Sequence, residues 1–473
     1  MMTDISKRTT LSQPNKNLRV TITGASGFVG QQMLSSAPEN WQINALSRGN
    51  AKSRVGNVTW RQADLFSLQS STDALKETDV AIYLVHSMLP STRLFQGNFA
   101  DADLLIADNF AHACVKNGVQ QIIYLGGLVP TENVSKHLAS RQEVEEVFKA
   151  SGIPYTIFRA GMVAGQGGSS FEILRNLVIN LPGMILPQWT QVKTQVIYID
   201  DLIRLLSTAV MHKDFFNKTI DAVNGESLTY ESLIRTTCRA LGKKPFLFRV
   251  PINSTKFSKL WVSIFGKTNY ELASPLIDSL LCELPQDPPS KLISPLIREV
   301  TFAGMLEKIL KIPAQKIKRV KTKLIHPNTV RSIQRLPSAP SANCDEIARE
   351  YENWLQKVLL GLIKVKSDPQ IGLVTFRLIG LWPLLILKPI ISEPDMQRAK
   401  FHIVGGLLSK RSDCGWLEFR QIADRKFTLV SINEFIPTLP WYIYRFTQAV
   451  IHKWTMTSFS EHLAKSPHFS SGI

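Results

Sequence analysis

The chain has 473 residues, 44% hydrophobic and 20% charged, with 55 Lys plus Arg against 38 Asp plus Glu and a formal charge of +17. That length fits two or three domains at roughly 100–200 residues each, and the composition excludes a largely disordered chain. Five scattered cysteines (Cys114, Cys238, Cys282, Cys344, Cys414) match neither a metal spacing nor a disulfide framework and fit a reducing compartment. No run approaches the roughly 18 apolar residues of a bilayer span. The nearest, 378–387, is short and bracketed by Arg377 and Lys388. Residues 1–17 lack the apolar core of a secretory signal and read as a disordered lead, so a cytoplasmic protein is expected. The positive excess admits an acidic partner: nucleic acid, anionic lipid or a phosphorylated cofactor.

Strand candidates at 19–23, 42–47, 58–62, 80–84, 121–125 and 155–159 alternate with amphipathic stretches, the longest at 100–116. Such alternation predicts an α/β fold, a Rossmann-type doubly wound, mostly parallel sheet with helices on both faces. Mixed structure continues to about 310, with a strand at 196–201 running into a helix at 202–211. From Lys308 to Cys344 every charge is basic: Lys308, Lys311, Lys316, Lys318, Arg319, Lys321, Lys323, Arg331 and Arg335. A second unit follows, with a helix at 345–362, a hairpin of 414–422 and 426–435 around Asp424 and Arg425, and a long helix from Trp441 to about Lys465 opened by Pro440. The domain expectation is an α/β unit at 18–310, a basic linker at 311–329, an α+β unit at 330–465 and a flexible tail at 466–473.

The segment Thr23-Gly24-Ala25-Ser26-Gly27-Phe28-Val29-Gly30 joins the first strand to a helix. There Gly24 permits a tight turn, Gly27 lets backbone approach a pyrophosphate, and Gly30 lets the helix pack closely on the sheet. Ser26, Phe28 and Val29 complete the loop expected at the cofactor, whose phosphates meet the free N–H groups of the helix N-terminus. At the end of the second strand an acidic residue would hold a ribose and repel a 2′-phosphate. This chain has Arg48 there, whose planar fork suits a phosphate, so NADP is favoured over NAD; the alternative is a solvated surface arginine. Asp64, after the third strand, either accepts from the adenine amine or caps the next helix. His86 and Ser87 follow the fourth strand, at the carboxyl edge where ligands sit in such sheets.

With TGASGFVG at 23–30, YLVHSM at 83–88, SKHLASRQEVEEVF at 135–148, FRAGMVAGQGGSSFEILRNLVINLP at 158–182 and VIYIDDL at 196–202, the chain resembles the atypical and extended short-chain dehydrogenase/reductases. Within them it is most similar to the NAD(P)H-binding branch of the complex I accessory subunit and YbjT-like proteins. Members that reduce carbonyls use a Ser at the end of the fifth strand and a Tyr-x-x-x-Lys on the next helix. Here Gly126-Gly127 ends the strand, and His137 and Arg141 stand in the Tyr and Lys places on one helix face. Arg141 can hold the nicotinamide ribose as a fixed cation. His137 either donates a proton near neutral pH or is a polar residue beside the cofactor. Arg159 to Gly165 begins the substrate side, with Glu172 and Arg175 as polar candidates.

Residues 330–465, from VRSIQRLP through HIVGGLL at 402–408, resemble the domain commonly fused to this branch, which looks like the START/Bet v 1 helix-grip fold. That resemblance implies an antiparallel sheet around a long terminal helix and an apolar cavity for a lipid, quinone or polyketide-like ligand. Ile443, Phe446, Val450, Trp454 and Phe459 are the expected inward stripe of that helix. The cations from Lys308 to Lys323 read as a solvated linker or an anionic-membrane patch at the inner face of the membrane. Nucleic acid is disfavoured, since no aromatic residue interleaves them. Two functions remain: an NADP(H)-dependent oxidoreductase acting on a hydrophobic carbonyl, quinone or isoprenoid-type compound, and a non-catalytic NADPH-binding scaffold or redox sensor. The sequence contains no signal for an oligomeric state.

Overall fold

A computed structural model describes residues 17–469 apart from 50–53, 87–91, 131, 133, 182, 252–277, 300, 313–325, 338–341, 369–371, 391–396, 413, 423–426 and 467. Ser87, Lys316, Lys318, Arg319, Lys321 and Lys323, with most of the expected lead and tail, lie outside the described residues.

The first sheet has eight strands in the spatial order Lys218–Asp221, Tyr155–Ala160, Gln121–Gly127, Val80–Tyr83, Leu18–Thr23, Trp41–Ser47, Val58–Gln62 and Arg54–Val55. All neighbours run parallel except the last pair. Its central strands are near-continuous apolar runs, because a sheet covered by helices on both faces buries successive side chains on opposite sides. Val20, Ile22, Val80, Ile82, Ile122, Ile123, Ile157 and Phe158 are all fully buried, each contributing about 1.5–3 kcal/mol by leaving water. The helix Phe99–Lys116 covers one face and begins on an Asn98 cap, whose side chain accepts from the Asp101 amide at 2.7 Å. The helix Ile199–Ala209 follows the strand Val196–Tyr198 directly.

The second sheet also has eight strands, ordered Ile363–Asp368, Leu373–Leu378, Trp382–Pro389, Arg398–Gly405, Trp416–Ile422, Phe427–Phe435, His326–Pro337 and Thr92–Gln96. Seven form an antiparallel meander closed by the long strand His326–Pro337. The eighth comes from the first unit and pairs parallel, Arg331 with Phe95 and Ser332 with Gln96. The two units therefore share a sheet, a long-range pairing with no trace in local periodicity.

The helices Cys344–Val358 and Gln448–Lys465 cover one face of this sheet. The first opens on a full capping box between Asn343 and Glu346. The space beneath them is filled by rings. Tyr351 and Trp354 lie 5.1 and 5.2 Å from Phe459, and Tyr351 lies 6.2 Å from Phe419.

The expected single helix from Trp441 is two. Trp441–Phe446 and Gln448–Lys465 meet at Thr447, whose φ of −123° and ψ of −86° break the helical ladder. Most of the expected inward stripe faces out. Phe446 is 74%, Val450 56%, Trp454 48% and Ile443 37% exposed, and of that set Phe459 alone is buried. The inward positions are Ala449, Thr455, Met456, Phe459 and Leu463. Small Ala449 lets the helix approach the shared strand closely enough for its carbonyl to accept from Gln96 Nε2 at 2.8 Å.

Candidate functional site

The glycine loop is built as its sequence requires. Gly24 has φ +67°, and a Cβ there would lie 2.8 Å from the Leu84 carbonyl oxygen. A Cβ on Gly30 would collide with the Gly24 carbonyl, so this glycine sets how closely the helix packs. Gly27 is the N-cap of the helix Phe28–Ser35, and no side chain caps it. The positive end of that helix is therefore open towards the exposed backbone of Ser26 and Gly27. Val29 packs on the first core and Phe28 reaches across the edge, its ring atoms 2.7 Å and 2.9 Å from where a Cβ on Gly165 or Gly168 would stand.

Arg48 lies half-buried at the end of its strand, and its guanidinium shares a field with Asp64 and Arg331. Asp64 has partners other than those expected. Its Oδ2 accepts from Arg331 Nη2 at 2.9 Å, and its Oδ1 from the Phe66 amide at 3.1 Å. The cap of the following helix is Ser67, not Asp64. Arg331 comes from the second unit, is 1% exposed, donates also to Asn433, and stacks 3.7 Å over the Phe66 ring.

Beyond the fourth and fifth strands lies a polar cluster walled by aromatic rings. His86 Nδ1 is 3.1 Å from Asp103 Oδ2, and the His86 and His137 rings are 4.8 Å apart. The buried Arg141 donates to the Tyr124 hydroxyl at 3.3 Å and to the Val85 carbonyl at 3.5 Å. It forms no ion pair among the described residues. Burial, with His86 and Arg141 beside it, pushes the His137 pKa down to about 3. Burial and Arg141 lower His86 too, with Asp103 opposing. Both imidazoles are thus neutral near pH 7, so His137 has no imidazolium proton to give there.

The Ser place at the strand end is closed by packing. A Cβ on Gly127 would lie 2.9 Å from Leu138 Cδ2, and one on Gly126 would lie 3.1 Å from Tyr124 Cε1 and 3.2 Å from Glu145 Oε1. Glu145 is fully buried and forks onto Arg159 at 2.6–3.1 Å, so Arg159 supports the edge, while Ala160, Gly161 and Met162 of the same stretch line the cavity described next. Glu172 accepts from the Gly167 amide and from Arg175; neither lines the cavity described next.

A cavity of about 190 Å³ begins at Gly127 and His137 and runs between the helix Ser169–Asn180 and the helix Tyr230–Ala240. Its wall is largely apolar, with Leu138, Ile173, Leu174, Leu177, Leu233 and Leu284, plus Trp189 and Tyr230 packed edge to face at 5.9 Å. Its few polar groups are His137, Ser170, Thr194, Tyr230 and Ser279. Asp103, Tyr83, Tyr124, Trp189 and Tyr230 are the site residues that motif reading misses. Acids at 101, 103 and 108 within an otherwise apolar helical run are the signal that could have found Asp103, since buried acids need partners.

The NmrA-like family matches residues 16–271, more than half of the chain. The chain belongs to the NmrA-like family. Among curated relatives, this NmrA-like chain is 24% identical over 279 residues to a UDP-glucose 4-epimerase of Vibrio cholerae, covering 53% of this chain and 83% of that protein. It is 27% identical over 111 residues to the auxiliary protein GraX of Staphylococcus aureus, which is 23% of this chain and spans only 36% of that protein. Similar solved structures include a triphenylmethane reductase of Citrobacter sp. complexed with NADP(H), with TM-score 0.47, 17% identity and coverage of 62% of this chain and 100% of that one. A nucleoside-diphosphate-sugar epimerase of Staphylococcus aureus gives TM-score 0.46, 20% identity and coverage of 59% and 99%. The family match ends at residue 271, so the second unit stands on its own architecture.

Proposed function

We propose that this NmrA-like chain is an NADP(H)-dependent oxidoreductase that reduces a hydrophobic, electron-delocalising acceptor of the quinone class in the cavity beside His137. The residues fit the cofactor. Gly24, Gly27 and Gly30 with the uncapped helix end suit a pyrophosphate, Arg48 suits the 2′-phosphate, and the edge at Leu84–His86 suits the ribose and nicotinamide. When bound, the nicotinamide supplies or takes up the hydride.

The observation that carries the reading is the apolar cavity at this edge, with a neutral imidazole on its wall and the buried Arg141 one helical turn further along the same helix. Tyr124, Asp103 and Tyr83 keep Arg141 charged against its burial, and ribose hydroxyls or developing negative charge on the acceptor would add to that field. His137 offers a neutral N–H to an oxygen in the cavity mouth, and Arg141 holds fixed positive charge behind it. No strong acid stands there, and that favours acceptors whose reduced anion is delocalised and takes its proton from water. A simple ketone, whose alkoxide must be protonated as it forms, fits poorly.

The alternative is an NADPH-binding sensor without turnover, favoured by the packed Gly126-Gly127 corner. Single-turnover loss of NADPH absorbance over a panel of quinones and simple ketones separates the two. Oxidation by quinones alone is expected, weakened at least tenfold in Arg141→Met. A bound cofactor that no acceptor oxidises would establish the sensor. Arg48→Ala should weaken NADPH, measured by tryptophan energy transfer, far more than NADH.

A further inference from the structure

Among the described residues, 22 large hydrophobic side chains are conspicuously exposed, and 12 of them lie on four segments of the second unit, 357–364, 377–384, 405–412 and 436–454. Backbone hydrogen bonds knit these segments into one end of the sheet. The Ile379 amide donates to the Leu362 carbonyl, Leu407 to Pro383, Lys410 to Ile436 and Thr438 to Leu408. The helix Trp441–Phe446 leaves from that end, and its outer face continues into the first turns of Gln448–Lys465.

Two features set this surface apart from scattered apolar residues. First, it presents large side chains where the backbone disfavours them. Leu360 is 92% exposed at φ +49°, and Ile379 is 56% exposed at φ +52°. A β-branched residue in that region is strained, and glycine or asparagine would serve both turns better. Second, the four segments contain seven Lys or Arg (Lys357, Lys364, Arg377, Lys410, Arg411, Arg445, Lys453) and no Asp or Glu. All but Arg377 are exposed.

We infer that this end of the second unit docks on an anionic lipid surface. Trp382, Phe446, Trp454 and the turn residues Leu360, Ile379 and Leu381 enter the headgroup boundary while the surrounding cations meet lipid phosphates. Aromatic and aliphatic tips ringed by Lys and Arg are the chemistry of interfacial anchoring. A protein interface would deplete lysine at its core instead. Of the cations around Lys308–Lys323, Lys308 is already engaged, 2.6 Å from Glu299. The inference stands apart from the redox reading, because vesicle binding needs neither cofactor nor turnover.

Flotation of the full chain with phosphatidylcholine vesicles, with and without an equal part of phosphatidylglycerol, tests it. Wild type should float with the anionic vesicles, and added salt should weaken it. Lys364→Glu with Lys410→Glu should bind them at least about 30-fold more weakly, the weight of two surface cations. Trp382→Ser with Phe446→Ser should abolish flotation, with thermal melting of every variant as the check on folding. Wild type remaining unbound to both vesicles would overturn the inference. So would a dimer, seen by sedimentation velocity, that Phe446→Ser separates, since a second copy would then cover the face.

Discussion

The two sheets are of equal strand number but treat apolar surface in opposite ways. The first leaves a space of about 190 Å³ at its carboxyl edge and places a neutral imidazole on its wall, with the buried Arg141 one turn further along the same helix. The second fills the space between sheet and helices with Tyr351, Trp354, Phe376, Phe419 and Phe459 and turns other large apolar groups to the outside. Fused cavity-type domains invite the expectation that the second unit holds the ligand. Here a hollow lies in the first unit, and more than half of the exposed large apolar side chains among the described residues lie on the second. The comparison teaches that apolar residues become a pocket only where the opposing element stands off, as the helix Ser169–Asn180 does; under Gln448–Lys465, Ala449 brings the helix down.

The largest effect should come from destroying the loop on which the first unit's ligand chemistry depends. Gly24→Val places a branched side chain at φ +67° and against the Leu84 carbonyl. We expect NADPH binding, measured by tryptophan energy transfer, to fall by at least about 100-fold, since backbone displacement at a phosphate cradle removes several charge-assisted hydrogen bonds together. Vesicle flotation should be unchanged. Loss of both would mean that the two units do not divide the labour in this way.

Breaking the joint between the units should cost stability. Arg331→Ala removes a buried partner of Asp64 and Asn433 and its stacking on Phe66, leaving a carboxylate short of its cation. Such deletions cost about 3–5 kcal/mol, read as a fall in the denaturation midpoint. Arg335, which pairs with Asp101 and Glu143, is more exposed and should cost less. A loss confined to NADPH affinity, with stability intact, would instead place Arg331 in the nucleotide site.

These arginines mark how far the sequence could be read. Strand–helix alternation, the glycine turn and the hairpin of the second unit are local patterns, and each was legible to within a few residues. The strand Thr92–Gln96 was not, because its partner His326–Pro337 lies more than 230 residues away and short edge strands have weak periodicity. The acid-free run from Lys308 to Cys344 suggested a free basic surface. In space Lys308, Arg331 and Arg335 meet Glu299, Asp64, Asp101 and Glu143, which are distant or separated in sequence. The outward turn of Phe446 and Trp454 was hidden for another reason. Trp454 and Phe459 read as one stripe, but five residues at 3.6 per turn set them about 140° apart, so with Phe459 inward Trp454 faces out.

A smaller effect should follow from filling the cavity. Leu174→Trp adds volume to a wall position lying away from His137 on the helix Ser169–Asn180. We expect quinone reduction to fall about tenfold, largely through KM, with NADPH affinity held; overpacking should cost about 1–3 kcal/mol of stability. If reduction persists at full rate, the acceptor binds elsewhere, and the contrast between a hollow first unit and a filled second loses its functional meaning.

A last test distinguishes two buried histidines by pH. Burial holds His452 of the terminal helix down to about 4, as His137 is held to about 3 in the first unit. Above the ordinary value of about 6.5 both are neutral folded or unfolded, and neither contributes a pH dependence. As pH falls below 6.5 the unfolded chain takes up protons that the folded chain refuses, so stability is lost, most steeply until the folded values are reached. His452→Gln can keep a hydrogen bond to Ser332, whose Oγ lies 3.1 Å from the histidine Nε2. It should therefore recover on the order of 2 kcal/mol relative to wild type at pH 5 and nothing at pH 8. His137→Asn should show the same stability profile but also change quinone turnover, which His452→Gln should not. Because His452 lies in a core filled by rings, it should report only on folding, whereas NADPH should shift the profile of the first unit.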